Sequence, residues 1–306
     1  SMETDRMALP VRVEKVNFFG PPPAVGTEFD CTTRIHSCGE RQVIGDIELV
    51  RDGRVHARLE GWEDRRFESN PREWPVIRYP ERNLLAIPRA DVPGCVWLPQ
   101  GYRSTATRDY YARRFLDGPG LEFYRGLMPK RQIDWLSGRI VAVDAVRQLL
   151  FAEGRESLFP VEVRVTNDNQ GRPEVDVDGE LDLRVSLAHS NGAGVGLATR
   201  GDRVGVDMEP VTERDEGFES TAFTASERAL LVGAVGSLER ADGVARLWTA
   251  KEARGKWLGT GLVGGPRQLL AQELDGERVR VDGRWIETLR TGDWIIAWVI
   301  GEDDAQ

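Results

Sequence analysis

The segment LWTAKEARGKWLG, residues 247–259, has helical spacing and places four charged side chains between two tryptophans. Glu252 and Lys256 are four residues apart, so they share one face of that helix. An exposed Glu–Lys pair at this spacing contributes only roughly 0.3–0.5 kcal/mol, and for the segment alone this ordinary interpretation is preferred. The alternative is that Glu252 is a metal ligand and that Lys256 contacts a phosphate group. We expect Trp248 and Trp257 to be the buried anchors of this helix.

The composition of the chain is that of a soluble globular protein. It has 306 residues, which is enough for two domains, and 40% of them are hydrophobic. The longest apolar run, WIIAWVI at 294–300, has the length of one strand, so we expect no membrane span. A net charge of -9 argues against nucleic acid as a partner. Three cysteines without a C-x-x-C pair favour a reducing, cytoplasmic location and no zinc ribbon.

One segment departs from this acidic background. Residues 101–150 contain nine Lys or Arg against five Asp or Glu, a local charge of +4. Such a segment indicates an anionic ligand, although a solvated helix face rich in arginine has the same composition.

The order of local patterns predicts an α+β chain with two parts. Residues 1–104 contain β-rich segments with a hairpin turn at Asp52-Gly53, followed by a proline-rich stretch at 69–94 that we expect to be a loop-rich connector. Residues 105–306 begin with helical patterns at 107–116 and 129–151. Strands, two further helices and a β-meander are predicted after them.

The segment RVGVDMEP, residues 203–210, carries two acids on an apparent strand. Asp207 and Glu209 are two residues apart and therefore project from one face, while Val204, Val206 and Met208 should be buried on the other. Paired carboxylates suit Mg²⁺, which prefers oxygen ligands and keeps waters and substrate phosphates around it. A solvated strand edge would have the same pattern, and this fragment leaves the two interpretations about even.

The segment SLAHS, residues 186–190, ends an apolar strand before a glycine-rich turn. His189 could donate to a phosphate there, although a structural histidine at a strand end is the more frequent case. We assign no function to His36 or His56. The glycines at 192–196 do not complete a dinucleotide fingerprint, and the chain has no Walker loop, nucleophile elbow or H-E-x-x-H zinc motif.

Three motifs together resemble those of the 4'-phosphopantetheinyl transferases: GVDME at 205–209, FTASE at 223–227 and WTAKEARGK at 248–256. GRP at 171–173 and SLAHS before them are similar to the larger, two-lobed type that activates surfactin synthetase. The resemblance implies two pseudo-equivalent lobes, about 105–200 and 201–306, with coenzyme A in the cleft between them. It implies Mg²⁺-dependent transfer of phosphopantetheine from coenzyme A to a serine of an apo acyl or peptidyl carrier protein, with release of 3',5'-adenosine bisphosphate.

The same resemblance assigns roles residue by residue. Asp207, Glu209 and Glu252 correspond to the magnesium ligands, and two roles stay open for Glu252: metal ligand only, or also the base that deprotonates the carrier serine, directly or through water. Lys256 corresponds to the lysine on the pyrophosphate. Further coenzyme A contacts are implied at Arg131, Arg139, Arg172, His189, Ser190 and Lys251. Glu227 corresponds to the acid of the second motif, whose role stays open. Ala188 stands where many relatives have a serine, which places one hydroxyl donor in doubt.

The N-terminal part resembles the latter half of a polyketide-synthase dehydratase, a hot-dog fold, above all at residues 42–67. No dehydratase catalytic histidine motif is visible, so we expect this part to be non-catalytic. Its presence suggests the C-terminal end of a multidomain synthase, with an enediyne-type synthase as the expected parent. Two alternatives stay open: a hot-dog dehydratase or thioesterase, and a non-catalytic module that binds coenzyme A and docks a carrier protein.

Overall fold

The computed structural model describes residues 7–67, 73–99, 105–233 and 239–302. The chain forms two compact units, Ser1–Tyr79 and Pro80–Gln306. Each is described by itself below.

The first unit is a five-stranded antiparallel sheet. Its strands are β1 (Met7–Arg12), β2 (Lys15–Phe18), β3 (Asp30–Cys38), β4 (Gln42–Arg51) and β5 (Arg54–Phe67), in the order β1-β5-β4-β3 with β2 also on β5. The predicted hairpin turn is confirmed, because Arg51 pairs with Arg54 and both Asp52 and Gly53 have positive φ. A short helix, α1 (Glu73–Arg78), follows. This sheet agrees with the predicted strands, and the hot-dog assignment stays a prediction.

The proline-rich stretch is more ordered than a loop-rich connector. Pro75 lies in the first turn of α1, where a missing N–H costs no helical hydrogen bond, and Pro88 lies on the edge strand β6 (Ile87–Pro88). Pro71 lies outside the described residues.

The second unit begins at Pro80, whereas the domain boundary was predicted after residue 104. Strand β7 (Cys95–Leu98) pairs with a strand about a hundred residues later. In addition, the buried Asp144 carboxylate accepts from the backbone N–H of Leu85 and of Ala86, at 2.8 and 2.9 Å. These long-range bonds, which local composition does not reveal, join residues 80–99 to the second unit.

The first half of this unit packs one long helix on a four-stranded sheet. Its further elements are α2 (Thr105–Phe115), α3 (Gly118–Gly126), α4 (Pro129–Ala152), β8 (Arg164–Asn167), β9 (Pro173–Asp176), β10 (Leu183–Ser190) and β11 (Ala193–Arg200). The sheet order is β10-β11-β7-β6, and β8 pairs with β9 as a separate hairpin. The helices predicted at 107–116 and 129–151 are confirmed by α2 and α4.

The second half packs another long helix on a five-stranded sheet. Its elements are β12 (Val204–Pro210), α5 (Glu216–Ala222), α6 (Ala225–Gly233), α7 (Arg240–Leu258), β13 (Ala271–Asp275), β14 (Arg278–Val281), β15 (Arg284–Thr291) and β16 (Trp294–Ile300), with sheet order β12-β16-β15-β14-β13. Helix α7 ends at Gly259, whose φ of 75° is the left-handed conformation that glycine adopts without strain.

The two sheets of this unit face each other across a buried apolar layer that includes Val195, Leu197, Val206 and Met208. Helix α4 covers the outer face of one sheet and α7 that of the other. Each long helix thus lies on its own sheet. That the two halves are pseudo-equivalent lobes stays a prediction.

A glycine lets each helix approach its sheet closely. A Cβ at Gly196 would overlap the Val141 carbonyl of α4, and a Cβ at Gly205 would overlap the Ala253 carbonyl and the Trp257 backbone of α7. The close approach at Gly205 brings the α7 side chains within reach of the acidic residues on β12.

Replacing Gly205 with alanine should therefore destabilise the protein by about 1–3 kcal/mol, because the added methyl group has no space between β12 and α7. Urea denaturation would measure the loss. Gly118→Ala is the matched control, since a Cβ there meets nothing within 4 Å. Equal stability of the two variants would contradict the close packing.

Candidate active site

Strand β12 presents its two acids to α7 and its apolar side chains to the other sheet. Val206 and Met208 are 0% and 2% exposed, and Val204 is also buried, which confirms the predicted alternation. The other face carries Gly205 and Asp207, and Glu209 follows two residues later on the same side.

Lys256 crosses from α7 to this strand. Its Nζ donates to Asp207 Oδ1 at 2.8 Å, to the Leu187 carbonyl of β10 at 2.9 Å and to the Val206 carbonyl at 3.1 Å. These three acceptors use all three ammonium hydrogens, so none is left for Glu252. The ordinary i,i+4 ion pair with Glu252 is therefore absent among the described residues, and Lys256 instead ties α7 to β10 and β12.

The three acids form a cluster of raised pKa. Burial raises the pKa of Glu252 to about 7, helped by the Asp207 charge and opposed by Lys256. Burial also raises the pKa of Asp207 against the effect of Lys256, and that of Glu209 against Arg214, whose Nη2 lies 2.9 Å from Glu209 Oε2. The carboxylates thus destabilise each other's ionised forms, and a bound cation would relieve that repulsion.

The donor set fits a hard divalent cation. Asp207 Oδ2 is buried without a hydrogen-bond partner, so this oxygen is available as a ligand. No three His, Cys, Asp or Glu side chains of the described residues converge as a ready-made metal cage. Mg²⁺ does not need one, because it is usually held by one or two carboxylates together with waters and substrate phosphates. The residues that would hold it are Asp207, Glu209 and Glu252.

Lys256 also lies at the wall of a large cleft, of about 1170 Å³, lined by residues of α4, β9, β10 and the segment after α7. Six basic residues line it, against three acidic ones: Arg139, Arg172, Arg184, His189, Arg203 and Lys256, with Asp168, Glu174 and Asp176. Four of the six, Arg139, Arg172, His189 and Lys256, are coenzyme A contacts that the resemblance implied. A cleft with this lining attracts an extended anion.

Neighbouring polar and aromatic groups hold the cleft cations in place. Arg139 donates to Asn167 Oδ1 at 2.6 Å and lies 4.9 Å from the Trp135 ring. Arg172 donates to Asp168 Oδ2 at 2.7 Å. Sequence reasoning missed the supporting Asn167 and Trp135. The pattern NDNQGR at 167–172 is typical of a turn, and it could have indicated that Asn167 lies beside the cleft residue Arg172.

His189 enters the cleft beside α4. A Cβ at Gly138 would overlap its ring, so the glycine makes room for it. Partial burial lowers the pKa of His189, opposed by Asp134 and assisted by Lys256 and Arg139. The imidazole is therefore neutral at neutral pH and can donate one N–H. Ala188, next to it, packs in the apolar layer between the sheets, so the missing serine hydroxyl removes no donor from the cleft wall.

The structure does not place Lys251 with the cleft residues. Its side chain is 0% exposed, and its Nζ donates to Glu227 Oε1 at 2.7 Å and to the Ala222 carbonyl at 3.1 Å. Because a phosphate contact would require breaking this buried pair, we replace that predicted role with a structural one.

The pair also explains the acid of the second motif. Glu227 Oε2 accepts from the Thr224 N–H at 2.7 Å, as in a capping box at the start of α6. Its Oε1 also accepts from the Ala271 N–H of β13 at 2.8 Å. Glu227 therefore joins α6, α7 and β13.

Two other predicted contacts lie outside the cleft wall. Arg131 is exposed in the first turn of α4, and Ser190 accepts a hydrogen bond from the Asn191 side chain at 3.3 Å. Neither belongs to the residues that line the cleft, and their roles stay predictions.

Glu252→Gln should stabilise the metal-free protein at pH 8 and have little effect at pH 5. The pKa of about 7 lies above the ordinary 4.5, so the folded state binds the proton more tightly and loses stability as pH rises between these values. Because the side chain is partly exposed, we expect a gain of roughly 1 kcal/mol, or about 2–4 °C. Thermal melts in EDTA at both pH values would measure it, and equal shifts at pH 5 and pH 8 would contradict the assignment.

Comparison with known proteins matches two separate parts of the chain. Residues 203–302 match the family model of the 4'-phosphopantetheinyl transferase superfamily. Residues 1–73 match that of the polyketide synthase dehydratase N-terminal domain. The match to the N-terminal domain corrects the expectation that this part resembles the latter half of a dehydratase. That expectation was based on strand pattern alone, which does not distinguish the two halves.

The individual relatives cover only part of the chain. A curated protein of Synechocystis sp., described as "Putative 4'-phosphopantetheinyl transferase", is 30% identical over 138 residues, which are 44% of this chain and 55% of that protein. The chain therefore spans about half the length of this relative. The crystal structure of the Thermotoga maritima holo-[acyl-carrier-protein] synthase is 25% identical, with a TM-score of 0.27, over 32% of this chain and 62% of that one.

None of the described helices is long and apolar enough to cross a membrane.

Proposed function

We propose that this chain is a Mg²⁺-dependent 4'-phosphopantetheinyl transferase. It moves the phosphopantetheine group of coenzyme A onto a serine of an apo carrier protein of a polyketide synthase and releases 3',5'-adenosine bisphosphate. The observation that carries the proposal is the arrangement around Lys256, which lines a basic cleft and pairs with an acid of the carboxylate cluster. The superfamily match over residues 203–302 supports it independently.

The basic residues of the cleft would bind the substrate. Coenzyme A is a strongly anionic, elongated molecule, and Arg139, Arg172 and His189 offer donors along one wall. Lys256 would contact the diphosphate, exchanging part of its present bonds to Asp207 and to the backbone carbonyls. When bound at the carboxylates, Mg²⁺ supplies charge neutralisation of the diphosphate.

Glu252 is the proposed base. In the metal-free protein burial raises the pKa of Glu252 to about 7, so this carboxylate is a stronger base than an exposed glutamate and would accept the proton of the carrier serine. The serine oxygen then forms a bond to the β-phosphorus. The bond from that phosphorus to the bridging oxygen breaks, and the electron pair leaves with the adenosine bisphosphate. Phosphoryl transfer needs positioning and charge stabilisation above all, and these residues provide both.

The test is mass spectrometry of apo carrier proteins incubated with this chain, coenzyme A and Mg²⁺. We expect a mass gain equal to one phosphopantetheine arm, and none in EDTA. Absence of the gain across several carriers, with a commercial transferase as positive control, would sink the proposal. Glu252→Gln separates a non-catalytic docking module from an enzyme, because a docking module would be unaffected by the loss of a base.

The dehydratase or thioesterase alternative has one supporting observation. His36 Nε2 and Asp46 Oδ2, on β3 and β4, lie 2.8 Å apart. The sequence analysis missed this pair because the partners meet across strands. Both side chains are substantially exposed, and neither lines the large cleft in which Lys256 lies. We therefore retain the transferase.

A further inference from the structure

The cation facing Glu209 comes from the loop between β12 and α5. Arg214 Nη2 donates to Glu209 Oε2 at 2.9 Å, and its guanidinium lies 4.9 Å from the Phe218 ring. The Trp248 indole also donates to the Glu209 side chain. Arg214 and Trp248 thus hold Glu209 from two sides. Trp248 belongs to the third motif, whereas Arg214 lies outside all three.

The three carboxylates of the cluster differ in what their oxygens already contact. Asp207 has a buried Oδ2 without a hydrogen-bond partner, although its Oδ1 pairs with Lys256. Glu252 has no ion pair within the described residues. Glu209 is the acid whose oxygen faces a guanidinium from a loop. A divalent cation can therefore use Glu209 Oε2 as a ligand only by exchanging it with Arg214.

Arg214 is also the cation that can leave at small cost. Lys256 is held by one carboxylate and two backbone carbonyls, whereas Arg214 has one carboxylate and one ring face and lies in a loop. Its side chain is 31% exposed, and a partly exposed ion pair contributes little net stability.

We propose that Arg214 is a positioning residue that competes with Mg²⁺ for Glu209. In the metal-free protein it holds this carboxylate in place, and metal binding displaces the guanidinium toward solvent. Arg214 thereby lowers Mg²⁺ affinity and helps make metal binding reversible. This inference rests on the proposed function, in that it takes the three acids as the metal ligands.

Removing the guanidinium should tighten Mg²⁺ binding. We expect Arg214→Gln to lower the Kd for Mg²⁺ by about three- to tenfold, from the loss of the competing pair and of one nearby positive charge. Arg214→Lys keeps the charge and should bring the Kd back toward that of the unmodified protein.

The measurement is a Mg²⁺ titration of the full chain at pH 8 without coenzyme A, followed by calorimetry and by tryptophan fluorescence, since Trp248 touches Glu209. Arg240→Gln is the matched control. It removes an arginine paired with Glu219 at 2.6 Å, outside the cluster, and should change the Kd less than twofold.

The outcomes separate this inference from the proposed function. Saturable binding that is tighter in Arg214→Gln than in Arg240→Gln supports competition. Saturable binding that is equal in both, or weaker in Arg214→Gln, overturns the role of Arg214 and leaves the metal site standing. No saturable binding in the unmodified protein overturns both.

Discussion

Glu252→Gln should lower the rate of phosphopantetheine transfer by about 10³-fold without unfolding the protein. Glutamine keeps the shape of the side chain but cannot accept the serine proton, and general-base catalysis typically supplies 10²–10⁴-fold. It also removes one of three negative charges from the proposed metal site. Because Glu252 is destabilising when ionised in the metal-free fold, we expect lost activity together with unchanged or increased stability.

Intact-mass kinetics of a carrier protein would measure the rate, and urea denaturation the stability. Glu273→Gln is the matched control, since Glu273 is an exposed residue paired with Arg280 on β13 and β14. Turnover near that of the unmodified protein in Glu252→Gln would mean that another group is the base. Loss of activity in Glu273→Gln would indicate that the assay responds to general surface charge.

Lys251→Met should cause the largest loss of stability, about 3 kcal/mol or more. It leaves the Glu227 carboxylate, which is 0% exposed, without its cation, and breaking one side of a buried pair typically costs 3–5 kcal/mol. The Thr224 and Ala271 N–H groups still donate to Glu227, so we expect the lower end of that range. Thermal melts should show a decrease of roughly 6–12 °C.

The same variant distinguishes a structural lysine from a phosphate contact. With a structural role, protein that remains folded at low temperature keeps its KM for coenzyme A within about twofold. With a phosphate contact, the KM would rise strongly while the melting temperature changed little. Adding Glu227→Gln should restore only part of the stability, because the glutamine amide cannot accept from both backbone donors as the carboxylate does.

Local pattern predicted much of the second unit. The i,i+2 spacing of Asp207 and Glu209 and the i,i+4 spacing of Glu252 and Lys256 predicted a shared face on a strand and on a helix, and these elements are present as β12 and α7. The shared faces could be predicted because side-chain direction follows backbone periodicity, which local sequence expresses. Four basic residues of the cleft were also named in advance, but as what the resemblance to the transferases implied.

Local pattern did not predict which residues of different helices and strands contact each other. Lys251 carries the same charge as Lys256 in the same helix, and nothing in the motif says that one is buried on Glu227 while the other reaches a cleft. The predicted domain boundary after residue 104 differs from the start of the compact unit at Pro80. The reason is that the Asp144 carboxylate of α4 accepts hydrogen bonds from the backbone N–H groups of residues 85 and 86.

The sequence by itself determined which residue types lie on which face of each strand and helix, and therefore that a carboxylate pair, a nearby acid and a set of cations exist. Only the tertiary structure decided the pairing: Lys256 with Asp207, Arg214 with Glu209, Lys251 with Glu227, and no ion pair for Glu252 in the part of the chain that the structure describes. The physical reason is that periodicity is a property of one element, whereas the separation of charges on different elements depends on how closely they pack. Here that distance is determined by Gly205, whose missing side chain lets α7 lie against β12.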